Sequence, residues 1–244
     1  LSALAYNDAY LQPASGYYQW HHTVIGSAYA WAEGYTGSGI KVAVLDTGVD
    51  SGHTELTVTA IDANGTTDSN GHGTHVAGII GAKAGNGEGG AGVAPEVTLY
   101  SGNVLPNGVG SDDDIIRAIR AAYQTHKVDL INMSLGGVGY NGAFQTVINE
   151  AYNRGTAIFA AAGNDGGTNY SYPACYDHVI SVAATDKGNM RASFSNFGDK
   201  VDLSAPGAAI WSTGWMPSQT GNRKYTYVQM SGTSMACPVA TGEA

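Results

Sequence analysis

Three residues stand where chemistry would explain their neighbours. Asp46 closes the apolar run of VAVLDTGVD, His72 lies between glycines in NGHGTHVAG, and Ser234 sits in GTSMACP, just ahead of Pro238. A serine on a glycine-led turn at the start of a helix has a backbone N–H free to face a reacting carbonyl. To become nucleophilic it needs a base and a carboxylate that orients that base. His72 and Asp46 supply them, in the chain order Asp, His, Ser. The implied chemistry is attack of a hydroxyl on an acyl carbon. Each piece alone has a structural alternative: Asp46 as a turn former, the small residues before Pro238 as a tight helix start.

Two other hydrolytic chemistries fit less well. The triplet DTG suits a carboxylate pair sharing one proton, but no second DTG or DSG followed by an apolar strand occurs. His72 and His75 with Asp46 could ligate a metal, yet the i, i+4 pair of H-E-x-x-H is absent. His75 reads instead as a helix-packing residue. His53, His126 and His178 lack any motif and read as solvated or structural.

The elements that must hold these groups are legible as glycine-bounded apolar runs at 39–48, 97–105, 128–137, 155–164 and 178–185. Hydrophobicity without alternation predicts strands buried on both faces, hence a parallel sheet. Residues 111–127 predict a helix with acidic residues first and basic residues last, and 143–155 a helix closing on Gly155. Strand and helix in alternation predict an α/β fold with a doubly wound, mostly parallel sheet flanked by helices. Such sheets carry their sites at the carboxyl ends of strands, which selects Asp46, Ser134 and Asn164. The whole chain, 1–244, reads as one domain, with residues 1–30 an irregular arm across the surface.

The formal charge of −9 leaves no basic stripe for nucleic acid, and no apolar run reaches the length of a membrane span. The opening LSALAYNDAY lacks the pattern of a signal peptide. Cys175 and Cys237 are expected as free thiols.

Taken together, VAVLDTGVD, NGHGTHVAG, GVAP, INMSLGG, AAAGN, RASFSNFG, APG and SGTSMACP resemble the subtilisin-like serine proteases, the subtilases, with the thermitase branch most similar. The resemblance runs from about residue 38 to 242. It implies a serine endopeptidase in which Ser234 attacks the peptide carbonyl, His72 relays the proton, Asp46 orients the imidazole and Asn164 donates to the oxyanion. It implies that Ser134, Leu135 and Gly136 pair with substrate and wall the primary pocket, with Ala160, Ala161 and Gly163 opposite. Gly108 and Gly110 would form a second pairing edge. Small apolar walls imply a hydrophobic or aromatic P1 side chain.

The same resemblance implies structural calcium held through Glu55 and Asn86 in the loop GAKAGNGEGG, and no organic cofactor. It further implies a secreted, monomeric protein acting on polypeptides, with a pro-segment or protein inhibitor as partner and neither nucleic acid nor membrane. The family pattern continues beyond Ala244, so the expectation is of a domain lacking its C-terminal elements. An inactive, peptide-binding version of the fold is the alternative function, and the intact Asp46, His72, Ser234 and Asn164 count against it.

Overall fold

A computed structural model describes residues 6–169, 171–217 and 222–244. Residues 1–5 of the expected arm lie outside them. The five apolar runs all become strands of one parallel sheet: β1 (Lys41–Asp46), β3 (Thr98–Asn103), β4 (Leu130–Met133), β5 (Ala157–Ala161) and β6 (Val179–Thr185). Two short strands, β2 (Val58–Ala60) and β7 (Leu203–Pro206), complete it in the order β2-β3-β1-β4-β5-β6-β7. Strand β1 pairs with β3 on one side and β4 on the other, so the chain reverses its winding there. A crevice opens at such a switch, at the carboxyl ends of the strands.

Burial on both faces explains the unbroken apolar runs. Val42 and Val44 of β1 join a core formed with α3 (His72–Gly81) and α6 (Thr233–Glu243); Ala43 and Leu45 join a second with α4 (Asp112–Ala121) and α5 (Gly142–Tyr152). Helix α4 starts where expected, the Ser111 hydroxyl accepting the N–H of Asp114 at 3.2 Å. Its α-helical part ends at Ala121, short of the expected Lys127. Residues Ala122–His126 form a wider π turn, and Lys127 is left-handed at φ 52°. The antiparallel hairpin of β8 (Ile210–Pro217) and β9 (Arg223–Met230) stands apart from the large sheet. Both cysteines are free, and burial pushes the Cys237 thiol up to about 12, which leaves it inert. Among the described residues no helix is long and apolar enough to cross a membrane.

The N-terminal segment departs from the expected surface arm. It forms α1 (His21–Ile25) and α2 (Ser27–Ala32), and Leu11, Trp20 and Trp31 are buried. Two indole N–H groups anchor it, Trp20 donating to the carbonyl of Ala208 at 3.2 Å and Trp31 to that of Val93 at 2.9 Å. Aromatic side chains of this size carry a large burial gain, and that gain overrides the irregular local sequence.

With this segment come two buried histidines. The rings of His21 and His22 lie 4.2 Å apart, and His75 is buried close by. Burial drives His22 down to about 4 and His75 to about 3, and holds His21 well below its ordinary value, so all three are neutral in the fold. The unfolded chain therefore binds more protons below pH ~6.5, and stability is lost as pH falls from there. His22 alone accounts for about 3 kcal/mol of that loss by pH 4. Among the described residues His21 has no hydrogen-bond partner at either ring nitrogen. His21→Leu should therefore flatten the fall in melting temperature between pH 7 and pH 4. An unchanged slope in thermal melts would count against the buried-histidine account.

Candidate active site

The site is assembled on α3, at the carboxyl end of β1. Gly71, just before the helix, has φ 95°, a conformation that favours glycine, and it carries no capping side chain. The free N–H groups are taken by Asp68 instead. One of its oxygens accepts from the N–H of Asn70 (2.9 Å) and Gly71 (2.8 Å) and from the Thr47 hydroxyl (3.0 Å). The other accepts from the N–H (3.0 Å) and hydroxyl (2.6 Å) of Thr74. The Thr47 hydroxyl in turn accepts the N–H of Gly73 at 2.9 Å. A side chain at Gly73 would run into the Gly48 carbonyl at 2.1 Å, so only glycine lets α3 start this close to β1.

That closeness delivers His72 to Asp46. Nδ1 of His72 donates to Oδ1 of Asp46 at 2.7 Å, and the N–H of Thr47 donates to the same oxygen at 2.7 Å. Asp46 is fully buried, whereas 27% of the His72 side chain remains exposed. Burial of the ring pushes its pKa down. The charge and hydrogen bond of Asp46, with the charge of Asp68, outweigh that and raise it above its ordinary value. With Nδ1 protonated against a carboxylate, the neutral ring presents Nε2 as a base. His75 stands apart from this pair: its Nε2–H points at the carbonyls of Ile210 and Val228, each 3.1 Å away.

Ser234 is the second residue of α6. Its hydroxyl donates to the carbonyl of Ser134 at 3.3 Å. Among the described residues no hydrogen bond joins that hydroxyl to His72; in a free enzyme the bond from nucleophile to base often forms or tightens only with substrate. Beside it, Oδ1 of Asn164 accepts the N–H (2.8 Å) and the hydroxyl (3.0 Å) of Thr233. A backbone N–H must meet an acceptor, which fixes the amide orientation and turns Nδ2 away from Thr233. Among the described residues that Nδ2 makes no hydrogen bond.

Two clefts share Leu135–Val138 as a common wall. One, of about 450 Å³, is lined by Ser234, Thr233, Asn164, Gly163 and Ala161; the other, of about 510 Å³, by His72, Thr47, Asn70, Gly108–Gly110 and Ser134. Of the expected wall residues, Leu135 and Gly136 thus line both clefts, Ala161 and Gly163 the smaller, and Gly108, Gly110 and Ser134 the larger. Ala160, also in β5, lines neither: side chains alternate along a strand, and it is fully buried in the core shared with α4 and α5. A carboxylate the sequence reading left out, Asp165, lines the smaller cleft.

Glu55 and Asn86 also meet. The Asn86 amide donates to both carboxylate oxygens of Glu55, at 3.0 and 3.1 Å. Asp8, fully buried, joins them from the N-terminal segment, accepting the N–H groups of Gly85 (2.8 Å) and Asn86 (3.3 Å). Burial first, then the charges of Glu88 and Asp8, raises the pKa of Glu55 against the opposing pull of Asn86 and Lys83. Two buried carboxylates packed against one glycine-rich loop form an oxygen-rich donor set of the kind hard cations take. Among the described residues no group of three or more His, Cys, Asp or Glu side chains is arranged to hold a metal, so carbonyl and amide oxygens would have to complete this set.

Asp68, Thr233 and Asp8 were missed by sequence reasoning. Asp68 had a local signal, an aspartate three residues before a glycine that opens an apolar helix. Thr233 and Asp8 act through partners far away in the chain and had none.

Residues 37–244 match the profile described as the subtilase family. Subtilisin DY of Bacillus licheniformis is 43% identical over 223 residues, 87% of this chain and 78% of the relative. Thermitase of Thermoactinomyces vulgaris is 42% identical over 217 residues, 85% of this chain and 74% of the relative. Among solved structures, a protease from Pseudoalteromonas arctica superposes with a TM-score of 0.84 at 31% identity, covering 98% of this chain and 85% of that one. A doubly wound parallel sheet, a carboxylate–imidazole pair at its switch point and a serine at a buried helix start therefore go with clear relatedness in sequence and structure: the chain belongs to the subtilase family and is a subtilisin-like serine endopeptidase.

Proposed function

We propose that Asp46, His72 and Ser234 hydrolyse peptide bonds as a triad, with Asn164 and the backbone N–H of Ser234 as oxyanion donors. The observation that carries this is the 2.7 Å bond between His72 and a fully buried Asp46, beside the two clefts that Leu135–Val138 divide. Substrate lies along Ser134–Gly136 with Gly108–Gly110 on its other side. Its P1 side chain enters the cleft between Leu135–Val138 and Ala161–Gly163. Small apolar walls there favour hydrophobic or aromatic P1 groups over cationic ones, with Asp165 at the cleft's exposed edge. His72 takes the hydroxyl proton and returns it to the leaving amine, while Asp46 holds its tautomer.

A fluorophosphonate probe followed by peptide mapping tests the reading. The expected adduct is on Ser234 alone, absent after unfolding and in His72→Ala. Asn164→Ala should lower kcat by roughly 10²–10³, the scale known for this donor in subtilisin itself. Labelling that survives His72→Ala, or a peptide library cleaved best after Arg or Lys, would sink the triad or the pocket assignment respectively.

His72 must be neutral to accept the proton, so activity falls as pH drops through its raised pKa. Asp68 contributes to that rise and also caps α3. Asp68→Asn removes the charge and turns an amide N–H₂ towards the Thr74 donors. It should move the acid limb of kcat/KM to lower pH and cost on the order of tenfold to a hundredfold in rate through misplacement of His72. A profile that shifts upward would refute the charge argument.

We infer that calcium binds at Glu55, Asn86 and Asp8, where it would neutralise two buried carboxylates and reinforce the docking of the N-terminal segment. Calcium should raise the melting temperature and a chelator lower it, and Glu55→Gln should remove most of the difference. Equal melting temperatures with calcium and with chelator would exclude the site.

A further inference from the structure

Helix α6 contains a proline at a position that matters to the nucleophile. In an α-helix the carbonyl of Ser234 would receive the N–H of the residue four places on, which here is Pro238 and has none. The Ser134 hydroxyl donates to that carbonyl instead, at 2.8 Å. Ser134 is itself held. Its hydroxyl oxygen accepts from Nδ2 of Asn132 at 3.0 Å, and Oδ1 of Asn132 accepts from the Thr241 hydroxyl at 3.0 Å. That hydroxyl hydrogen is shared with the carbonyl of Cys237, 2.9 Å away in the preceding turn. Asn132, Ser134 and Thr241 are at most 2% exposed, so water does not compete for these bonds.

We propose that Asn132 and Thr241 are positioning residues for the hydrolysis, forming with Ser134 a buried relay that replaces the helix bond lost at Pro238 and fixes the backbone of Ser234. The inference rests on the triad reading above. Its direction follows from donor and acceptor chemistry. An amide N–H donated into Ser134 Oγ forces that hydroxyl's own hydrogen outward, onto the Ser234 carbonyl. If Asn132 turned over, its Oδ1 would draw the Ser134 hydrogen inward and leave the carbonyl unpaired in the core, a costly state. Thr241 favours the productive orientation by placing a donor on Oδ1. The relay thus runs from the far end of α6, across β4, and back to the first turn of the same helix about two turns away. A backbone held in this way keeps both the Ser234 hydroxyl and its N–H where attack and oxyanion binding need them.

The experiment is steady-state peptide hydrolysis and fluorophosphonate labelling rate in the wild-type chain, Thr241→Ala, Thr241→Val, Thr241→Ser, Ser134→Ala and the double variant Ser134→Ala/Thr241→Ala, each assayed well below its own melting temperature. Thr241→Ala and Thr241→Val remove the hydroxyl with and without its volume, so that one informs if the other fails to fold. Both should lower kcat and the labelling rate three- to tenfold with KM within twofold and the acid limb unmoved. Thr241→Ser should restore the rate. Ser134→Ala should cost about tenfold, and adding Thr241→Ala to it should cost nothing more, because a serial relay broken once is broken. Multiplicative losses in the double variant, or a Thr241→Ser variant as slow as Thr241→Ala, would overturn the relay while leaving the triad standing. A wild-type chain that neither cleaves peptides nor takes label would overturn the triad reading and the relay with it.

Discussion

Everything at the site depends on the pairing of β1 with β4 at the point where the sheet reverses its winding. Parallel strands end together, so Asp46 at the end of β1, Ser134 after β4 and Asn164 after β5 are neighbours because the strands are. The helices then bring the groups that strands cannot. Helix α3 crosses one face with His72 at its start, and α6 lies on the same face with Ser234 at its start. Moving one strand in register would carry its residue to the opposite face of the sheet. The two-sided core, with Val42 and Val44 facing one way and Ala43 and Leu45 the other, is what forbids that slip.

Helix α6 shows how tightly Ser234 is built in. Thr233 and Met235 through Thr241 are all buried, so the helix has hardly any solvent face. A helix buried on nearly all sides can touch the sheet only with small residues, and that explains the Gly, Thr, Ser, Ala and Cys around Ser234 better than any turn requirement. Proline costs an exposed helix far more than it costs one whose missing bond is supplied from the side, as the Ser134 hydroxyl does here.

The central strands, the main helices and the positions of Asp46, His72 and Ser234 at the ends of their elements were legible because each leaves a local mark. Buried parallel strands are apolar throughout, caps and dipoles sort charges along helices, and Asp46, His72 and Ser234 carry glycine-rich surroundings. What escaped lacks such marks. Strands β2 and β7 are short edge elements, one of them ending in Pro206. The burial of Trp20, His21 and Trp31 is decided by surfaces contributed much later in the chain, as the bonds from Trp20 to Ala208 and from Trp31 to Val93 show. Ala160 and Ala161 were both expected at the cleft, but side chains alternate along β5, so Ala161 faces the cleft and Ala160 the core. Asp8 reaches the Glu55 loop only through the fold of the N-terminal segment.

The arrangement of charge around the site has a direction. In the proposed reaction a positive imidazole and a negative oxygen arise from neutral partners, and the surroundings differ accordingly. On the His72 side stand two carboxylates, Asp46 in direct contact and Asp68 behind it. They are needed there because α3 begins at His72, and the unpaired N–H groups of a helix start disfavour a cation. Asp68 takes up those N–H groups and supplies a negative charge in the same stroke. On the Ser234 side, among the described residues, no carboxylate is hydrogen-bonded to the serine hydroxyl: the start of α6, whose dipole favours an anion, meets an amide whose oxygen is committed to Thr233 and whose N–H₂ is left to donate. Exchanging the two helix starts would put bare donors beside the imidazole and carboxylates beside the oxyanion. On the proposed assignment the fold fixes the polarity of the charge separation before any substrate arrives, and electrostatic preorganisation of that kind is usually the largest single contribution to catalysis.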